Sequence, residues 1–290
     1  MAACHLGCEA LQVFLGAPGR WARATPSSEE GQQFRALATP PPLAGRCFAH
    51  APYLLNLASE GEELRQRSIA ALVGDLQVAD ALGLAGVVLH PGSAGRGNRR
   101  EAAARCRAAL GEVLDLAGDG AAALLLEGLA GGGGQLGRSV RELADLVPAQ
   151  GPGRTRPVGV CLDLAHLWAA GYDVRGEGWE LVVAELSDYW GVSAPHLVHG
   201  NDTPVERGSH RDRHAPPGDG VLGEGVFRRL LADPRLAQTP LVLEIPPGRN
   251  NQLAASALAR LRRWRSSGSL APDATGEDTR PIRGRPIRGS

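Results

Sequence analysis

Short apolar runs that alternate with helix-like stretches constrain the fold of this chain more than any other feature of its sequence. Residues 62–83 are typical of the intervening stretches, because their apolar residues recur at three- and four-residue spacing, as in an amphipathic helix. Repeated alternation of strand and helix predicts a parallel sheet with helices on its outside, and near-continuous apolar runs suit strands covered on both faces. The predicted strands are Leu11–Phe14, Cys47–Tyr53, Gly86–His90, Ala122–Glu127, Val158–Asp163, Pro195–His199 and Pro240–Glu244.

Histidine or acidic residues stand at or near the C-terminal end of six of these runs. His50 lies near the end of its run, and five others close theirs: His90, Glu127, Asp163, His199 and Glu244. In a barrel of parallel strands the C-terminal strand ends converge on one site, whereas an open doubly wound sheet would spread them along a line. The sequence therefore predicts an α/β fold, a TIM-type (β/α)8 barrel with a pocket for several metal ions at its rim.

The loop between Val198 and Gly223 carries three histidines and several acids, with no apolar run to bury them. Asp212 and His214 stand two residues apart, so in an extended segment they project to the same side and can bind one metal ion. Taken singly, such residues have plainer interpretations: a hydrogen-bonded histidine, a helix-capping aspartate at Asp163, or an ion pair at the rim. Their joint occurrence at separate chain locations favours metal binding.

Composition bounds the cellular setting and the domain organisation. The formal net charge is zero, which by itself argues against a nucleic-acid partner. The five cysteines include no C-x-x-C pair, which favours reduced thiols in the cytoplasm over a disulfide framework. Neither a signal peptide nor a stretch of membrane-span length is found. We expect a cytoplasmic protein with no membrane partner, one barrel domain over residues 1–265 and a disordered Arg/Pro/Gly-rich tail over residues 266–290.

Four segments together resemble the endonuclease IV family of apurinic/apyrimidinic endonucleases. They are H-A-P-Y-L-L-N-L-A-S at 50–59, H-P-G-S at 90–93, G-V-C-L-D-L-A-H-L-W-A-A-G-Y-D at 159–173, and the H-G-N-D, G-S-H-R-D-R-H and G-D-G motifs of the loop from 199 to 220. The similarity runs from about Cys8 to about Trp264. The resemblance implies a monomeric DNA-repair enzyme that hydrolyses the phosphodiester 5′ to an abasic site in double-stranded DNA. We expect the same site to remove 3′-blocking groups.

The resemblance also implies a centre of three Zn²⁺ ions per chain. The first zinc would be bound by His50, His90 and Glu127, the second by Glu127, Asp163, His199 and Glu244, and the third by His166, Asp212 and His214. Glu127 and Glu244 would be catalytic through this centre, and the Tyr53 phenol would contact the phosphate. Four ligand carboxylates with three Zn²⁺ would leave the site at +2 and the whole chain at +6. A formally neutral chain could therefore attract DNA.

Four residues are expected to contact DNA. Arg20 and Trp21 follow a loop that corresponds to a DNA-contacting segment of the family, and Arg211 and Arg213 flank the expected third zinc as phosphate-binding residues. The remaining histidines, His5, His196 and His210, match no ligand position.

Three departures from the family motifs concern the support of the ligands. Glu127 is followed by Gly-Leu where the family has Asn-Thr, Asp163 and His166 enclose Leu-Ala instead of Thr-Cys, and Gly200 replaces a leucine.

Two alternative functions remain open. A divalent-metal sugar isomerase or epimerase of the same barrel class also gathers His, Glu and Asp at strand ends, but it binds one or two ions and needs no third site. A non-catalytic DNA-binding relative is the other alternative, and the intact ligand set argues against it.

The first predicted strand, Leu11–Phe14, corresponds to the second strand of the family barrel, and the ten residues before it are too few for a strand, a helix and two connections. We therefore expect the family's first strand and helix to be missing from these residues. The expected result is a gap with two unpaired strand edges, marginal stability, and an upstream start or a truncated gene.

Overall fold

The computed structural model describes residues 2–21, 26–149, 155–246 and 248–267. Seven parallel strands form one curved sheet in which each strand pairs with its neighbours in chain order. The strands are β1 (Leu11–Phe14), β2 (Cys47–His50), β3 (Gly86–Leu89), β4 (Ala123–Glu127), β5 (Val158–Asp163), β6 (Leu197–His199) and β7 (Leu241–Val242). The predicted parallel barrel is confirmed, and β1 is the first of its strands.

Helices connect the strands and cover the outer face of the sheet. They are α1 (Ala2–His5), α2 (Ser28–Ala38), α3 (Glu62–Leu82), α4 (Arg99–Ala117), α5 (Val140–Leu146), α6 (Leu164–Ala170), α7 (Gly178–Trp190), α8 (Gly223–Ala232) and α9 (Gln252–Ser266). Local sequence sets their ends: Ser27 and Glu30 form a capping box at α2, and Gly83, in the left-handed conformation with φ 70°, ends α3. Apolar helix faces pack on the sheet through residues such as Leu72 and Leu110, both fully buried.

A second, smaller core fills the inside of the barrel. It consists of one buried side chain from each of six strands, namely Phe48, Val88, Leu125, Cys161, Leu197 and Val242. Because side chains alternate between the two faces of a strand, the residue two positions after each inner-core residue also faces the barrel axis. This inner layer therefore determines which side chains point into the carboxyl end of the barrel.

Two of the seven predicted strands have the predicted bounds, and the other five are shorter than predicted. The run 47–53 ends as a strand at His50, and the runs 86–90 and 240–244 end at Leu89 and Val242. The runs that began with Pro195 and Pro240 start one or two residues later, because proline has no amide N–H for the strand ladder. Polar residues at the carboxyl ends lie where the backbone has left the ladder.

The barrel is open between β1 and β7. Among the described residues, β1 pairs only with β2 and β7 only with β6, so the predicted gap is present. A cavity of about 180 Å³ lies at the amino end of this open edge, with Ala10, Leu241 and Leu258 among its lining residues. Side chains bridge the edge: Arg265 binds Glu9 with two hydrogen bonds of 2.6 and 2.8 Å.

The remaining expectations about the whole chain concern the cysteines, the membrane and the tail. All five cysteines are free thiols, and burial raises the pKa of Cys106 and of Cys161 to about 12. No helix in the described ranges is long and apolar enough to cross a membrane. Helix α9 continues through Ser266, and residues 268–290 of the expected tail lie outside the described residues.

Candidate metal centre

Six polar side chains form a layer directly above the inner core of the barrel. Each follows an inner-core residue by two positions, as His50 follows Phe48 and Glu127 follows Leu125; the others are His90, Asp163, His199 and Glu244. The two-residue period of a strand explains why they face the axis. His166 enters from the first turn of α6, and the loop after β6 adds Asp212 and His214. The structure thus brings all nine residues of the expected ligand set to one place.

The first group lies around one oxygen of Glu127. The Nε2 atoms of His50 and His90 are each 3.1 Å from Glu127 Oε2. Glu127 is fully buried and His50 is almost so, whereas the His90 side chain is 22% exposed. These three residues could hold one metal ion.

The middle group uses the other oxygen of Glu127. His199 Nδ1 lies 3.2 Å from Glu127 Oε1 and 3.0 Å from Glu244 Oε2, and Asp163 Oδ2 is 3.9 Å away. All four residues could hold one metal ion. Because its two oxygens face different groups, Glu127 is placed to connect the first and middle groups.

The third group has the most regular geometry. The Nε2 atoms of His166 and His214 are 3.3 Å apart, and the Asp212 carboxylate lies 3.3 Å from the first and 3.2 Å from the second. Asp163 also approaches, with Oδ2 3.6 Å from His214 Nε2, while its other oxygen accepts the His166 backbone N–H at 2.9 Å. The capping role that the sequence left open for Asp163 therefore exists together with its place in the centre.

The outward nitrogens of four histidines are bound to oxygen atoms. The Nδ1 atoms of His50, His166 and His214 lie 2.5, 2.9 and 3.3 Å from the backbone carbonyls of Ala51, Gly128 and Glu244, and His199 Nε2 lies 2.9 Å from Gln12 Oε1. A carbonyl oxygen can only accept, so each outward nitrogen carries a proton, and the inward nitrogen is the one that can bind a metal once it is deprotonated. With metal–ligand bonds near 2.0 Å, a tetrahedral ion holds its ligands about 3.3 Å apart. The donor atoms therefore fit zinc in both identity and spacing.

The pKa values of the cluster residues refer to the protein without metal. Burial opposes ionisation of Glu127, but the neighbouring His90 and His199 hold its pKa well below the usual range. Against the same effect of burial, His199 lowers the pKa of Glu244 to about 2, and His166 lowers that of Asp212 to about 2.

The pKa values of two histidines shift in the opposite direction, upwards. Although burial disfavours the charged imidazole, Asp163 and Asp212 raise the pKa of His166 well above its ordinary value, and the carboxylates of Glu244 and Glu127 do the same for His199. Protons thus balance the carboxylates where a cation could replace them.

The other expected site residues differ in their exposure and contacts. The Tyr53 ring, 55% exposed, stacks 5.5 Å from the His90 ring. Arg20, Arg211 and Arg213 are exposed, whereas Trp21 packs against the main core under Arg67, whose guanidinium carbon is 4.3 Å from the Trp21 ring centre. Trp21 therefore supports the rim loop more than it projects from it.

His210 lies outside the cluster, as expected. It has a positive φ of 54°, and its Nδ1 lies 2.9 Å from the Ala130 carbonyl oxygen. The alternation from 210 to 214 is broken by this turn.

Two supporting residues were missed by the sequence analysis. Gln12 of β1 contacts both His199 and Glu244, and Asn201 donates to Asp163 Oδ2 at 2.5 Å while accepting the Glu244 backbone N–H at 2.8 Å. A lone amide inside the apolar run L-Q-V-F was the available signal for Gln12, since a polar side chain facing a barrel interior needs a partner.

The three departures from the family motifs have local explanations. The residue after Glu127 supports His166 through its backbone carbonyl, which glycine provides as well as asparagine. At Gly200 a Cβ would lie 2.5 Å from the Leu241 side chain, so this position and Leu241 are matched in size. Leu164 and Ala165 are buried in the first turn of α6.

Comparison with known proteins agrees with the predicted fold and family. The model of the xylose isomerase-like TIM barrel family matches residues 2–264. A probable endonuclease 4 of Nitratidesulfovibrio vulgaris strain DP4 is 38% identical over 263 residues, which cover 89% of this chain and 91% of that protein. The crystal structure of endonuclease IV from Thermus thermophilus superposes with a TM-score of 0.78 at 37% identity, covering 91% of this chain and 92% of that one. The chain therefore belongs to the endonuclease IV family of the xylose isomerase-like TIM barrels, as its motifs predicted.

A more distant structure shares the fold alone. A D-tagatose 3-epimerase-like protein superposes with a TM-score of 0.65 at 19% identity, covering 90% of this chain and 89% of that one. The likeness extends over the whole barrel but does not extend to activity.

Proposed function

We propose that this protein is a zinc-dependent apurinic/apyrimidinic endonuclease of DNA repair. It binds double-stranded DNA that contains an abasic site, hydrolyses the phosphodiester 5′ to that site and removes 3′-blocking groups, using three zinc ions held by the nine residues described above. The chain acts as a monomer through the barrel domain of residues 1–265. The family relationship supports the reaction class, because the relatives are named endonuclease 4.

The third group of side chains distinguishes this function from that of a sugar isomerase. His166, Asp212 and His214 lie within 3.3 Å of one another through their ligand atoms. They form an additional set of ligands next to the middle group, whose Asp163 lies 3.6 Å from His214 Nε2. A phosphodiester is anionic and has a poor leaving group, so several cations at one phosphate are useful. An isomerase with one or two ions has no use for a third set of ligands.

Bound zinc would supply Lewis acidity, which activates a water molecule and neutralises the negative charge of the phosphate. The protein residues hold that chemistry in place. Glu127 presents one oxygen to the first group and the other to the middle group. Glu244, with its side chain 15% exposed, is the most exposed carboxylate of the middle group, and it would help to hold the metal where solvent can reach it.

Tyr53 is placed to hold the phosphate at the mouth. Burial, together with the charges of Glu244 and Glu127, raises the pKa of the phenol to about 12, so it keeps its proton at neutral pH. A protonated phenol beside an anionic phosphate donates a hydrogen bond. Tyr53 is therefore a donor to a phosphate oxygen and not a base.

Positive charge on the rim accounts for binding along the duplex. Arg211 and Arg213 flank Asp212 in the loop of the third group, and Arg213 donates to the Asp212 carbonyl at 2.6 Å, which keeps it near the mouth. Arg20 lies in the loop after β1. Their guanidinium groups suit backbone phosphates, which position a duplex without reading its sequence.

A single gel experiment tests this function. Zinc-replete protein is incubated with a duplex that carries one tetrahydrofuran abasic analogue, and with the same duplex undamaged, with label on either end of the damaged strand. We expect one nick directly 5′ to the analogue that leaves a 3′-hydroxyl, and no nick in the undamaged duplex. Parallel incubation with a ketohexose tests the isomerase alternative, and sugar conversion without nicking would overturn the proposal.

A further inference from the structure

Gln12 connects two residues of the middle group. Its side-chain amide donates from Nε2 to Glu244 Oε1 at 2.7 Å, and its Oε1 lies 2.9 Å from His199 Nε2. Gln12 belongs to β1, whereas His199 ends β6 and Glu244 follows β7. The amide therefore reaches across the open edge of the barrel, where no backbone ladder between described residues joins β1 to β7.

The direction in which the Gln12 amide points is fixed by Glu244. A carboxylate can only accept hydrogen bonds, so the amide nitrogen must face Glu244 and the amide oxygen must face His199. An amide oxygen accepts, and His199 must then carry a proton on Nε2. Its Nδ1, which faces Glu127 and Glu244 Oε2, is left to bind a metal.

His199 differs from three other histidines of the cluster in how its ring is held. His50, His166 and His214 are paired with backbone carbonyls, which no side-chain substitution removes. His199 is paired with a side chain. The middle group therefore depends on one substitutable residue of β1.

Gln12 also divides the two oxygens of Glu244 between different tasks. Oε1 accepts the Gln12 amide, and Oε2 lies 3.0 Å from His199 Nδ1. With Oε1 engaged, Glu244 offers a single oxygen to the middle group.

We propose that Gln12 is a positioning residue of the metal centre: it sets the tautomer and ring orientation of His199 and limits Glu244 to one ligand oxygen, so that the middle group binds its metal through His199 Nδ1 and Glu244 Oε2. The proposal rests on the metal centre of the proposed function but not on its DNA substrate.

The first test measures metal affinity in Gln12→Met, which keeps the length of the side chain and removes both hydrogen bonds. The matched control is Gln33→Met, because Gln33 lies exposed on α2 and its amide likewise donates to a glutamate, Glu29, at 3.2 Å. Zinc content is determined by elemental analysis after dialysis against graded chelator. We expect one zinc equivalent to bind roughly 10- to 100-fold more weakly in Gln12→Met, with the others unchanged. Equal affinity of every equivalent in both variants would overturn the proposal.

The second test observes His199 directly by ¹⁵N NMR of histidine-labelled, zinc-loaded protein, with the signal assigned by its loss in His199→Asn. We expect the parent to show a protonated Nε2 and a metal-bound Nδ1. Gln12→Glu keeps an acceptor for that proton and should preserve the pattern, whereas Gln12→Met should lose it. A metal-bound Nε2 in the parent contradicts the proposal even if Gln12→Met does not fold.

Failure of the two proposals can be told apart, because neither test uses DNA. Selective loss of one zinc in Gln12→Met, together with a parent that does not nick abasic duplex, would leave the role of Gln12 standing and remove the proposed function. Normal nicking with unaltered zinc affinity and an unaltered His199 spectrum in Gln12→Met would do the reverse.

Discussion

At the carboxyl end of the barrel, polar side chains from six strands meet in one largely buried cluster. At the amino end, the open edge between β1 and β7 is bridged by exposed side chains. The buried cluster concentrates charge: Glu127, Asp163 and His199 are fully buried there. The open edge has a cavity of about 180 Å³ and the Glu9–Arg265 pair, whose side chains are 41% and 52% exposed.

The interactions that stabilise the carboxyl end of the barrel therefore differ in strength from those that stabilise the amino end. Buried charges at short distance interact strongly and need balancing cations, whereas exposed pairs are screened by water and salt. Gln12 is the link between the two regions, since it belongs to the edge strand β1 and contacts the cluster. A change in the cluster should therefore alter both stability and activity. A change in the Glu9–Arg265 pair, here called the amino-end bridge, should alter neither by much.

Removing metal should produce the largest effect. Without cations the buried carboxylates depend on histidine protons for balance, and ligands from separate strands and loops are no longer tied together. A ligand at a thousandfold excess over its dissociation constant contributes about 4 kcal/mol, so chelation should lower the melting temperature by roughly 10 °C. Calorimetry with and without chelator checks this, and nicking should disappear and return when zinc is added back. An unchanged melting temperature would show that the cluster does not stabilise the barrel through metal.

Glu244→Gln should have the next largest effect, and on activity rather than on stability. The amide keeps the size of the side chain but removes its negative charge. We expect nicking to fall by more than the roughly 10- to 100-fold typical of changes around metal ligands, while affinity for abasic duplex remains. The measurements are single-turnover nicking and a binding titration. Glu224→Gln, an exposed acid at the start of α8, is the matched control and should behave as the parent. Parent-like nicking by Glu244→Gln would contradict the role given to Glu244.

Metal loading should release protons, which tests the electrostatics of the cluster separately. His166 and His199 have pKa values raised well above 6.5 in the metal-free cluster, so both carry an extra proton at neutral pH that a metal must displace. We expect about two protons to be released at pH 7, and the apparent metal affinity to rise with pH until both histidines are neutral. Calorimetric titrations in buffers of different ionisation enthalpy measure the release. Zero release at pH 7 would mean that these histidines are neutral before metal binds.

The parts of the structure that repeat were predictable from sequence. The strand period places Glu127 and His199 on the barrel axis, and the alternation with helices gives the parallel order, so the fold and the convergence of the six strand-end side chains follow from local patterns. The full set of nine ligands came from the family resemblance. The open edge was also predictable, because the sequence has seven strand-like runs where a closed barrel of this class has eight strands.

The features that could not be predicted from the sequence depend on contacts between distant segments. Gln12 lies 187 residues from His199 and 232 from Glu244, and no local pattern relates them. The contact of the Trp21 ring with Arg67 on α3 likewise joins distant segments, and the DNA contact expected of Trp21 stays a prediction. Strand ends were overestimated because an apolar run continues after the ladder has stopped.

The smallest effect is expected at the amino-end bridge, from Arg265→Gln. The pair is exposed, so its loss should cost at most about 1 kcal/mol, or a few degrees in melting temperature, and high salt should remove the difference from the parent. The hydrogen bond from Arg265 lowers the pKa of Glu9, so this stabilisation is present above the ordinary value of 4.5 and is lost as the pH falls through the lowered value. Arg263→Gln, exposed on the same helix, is the control. Zinc content and nicking should equal those of the parent, because Glu9 and Arg265 contact none of the nine cluster residues directly. A loss of zinc in Arg265→Gln would show instead that the amino-end edge and the metal cluster are coupled through β1.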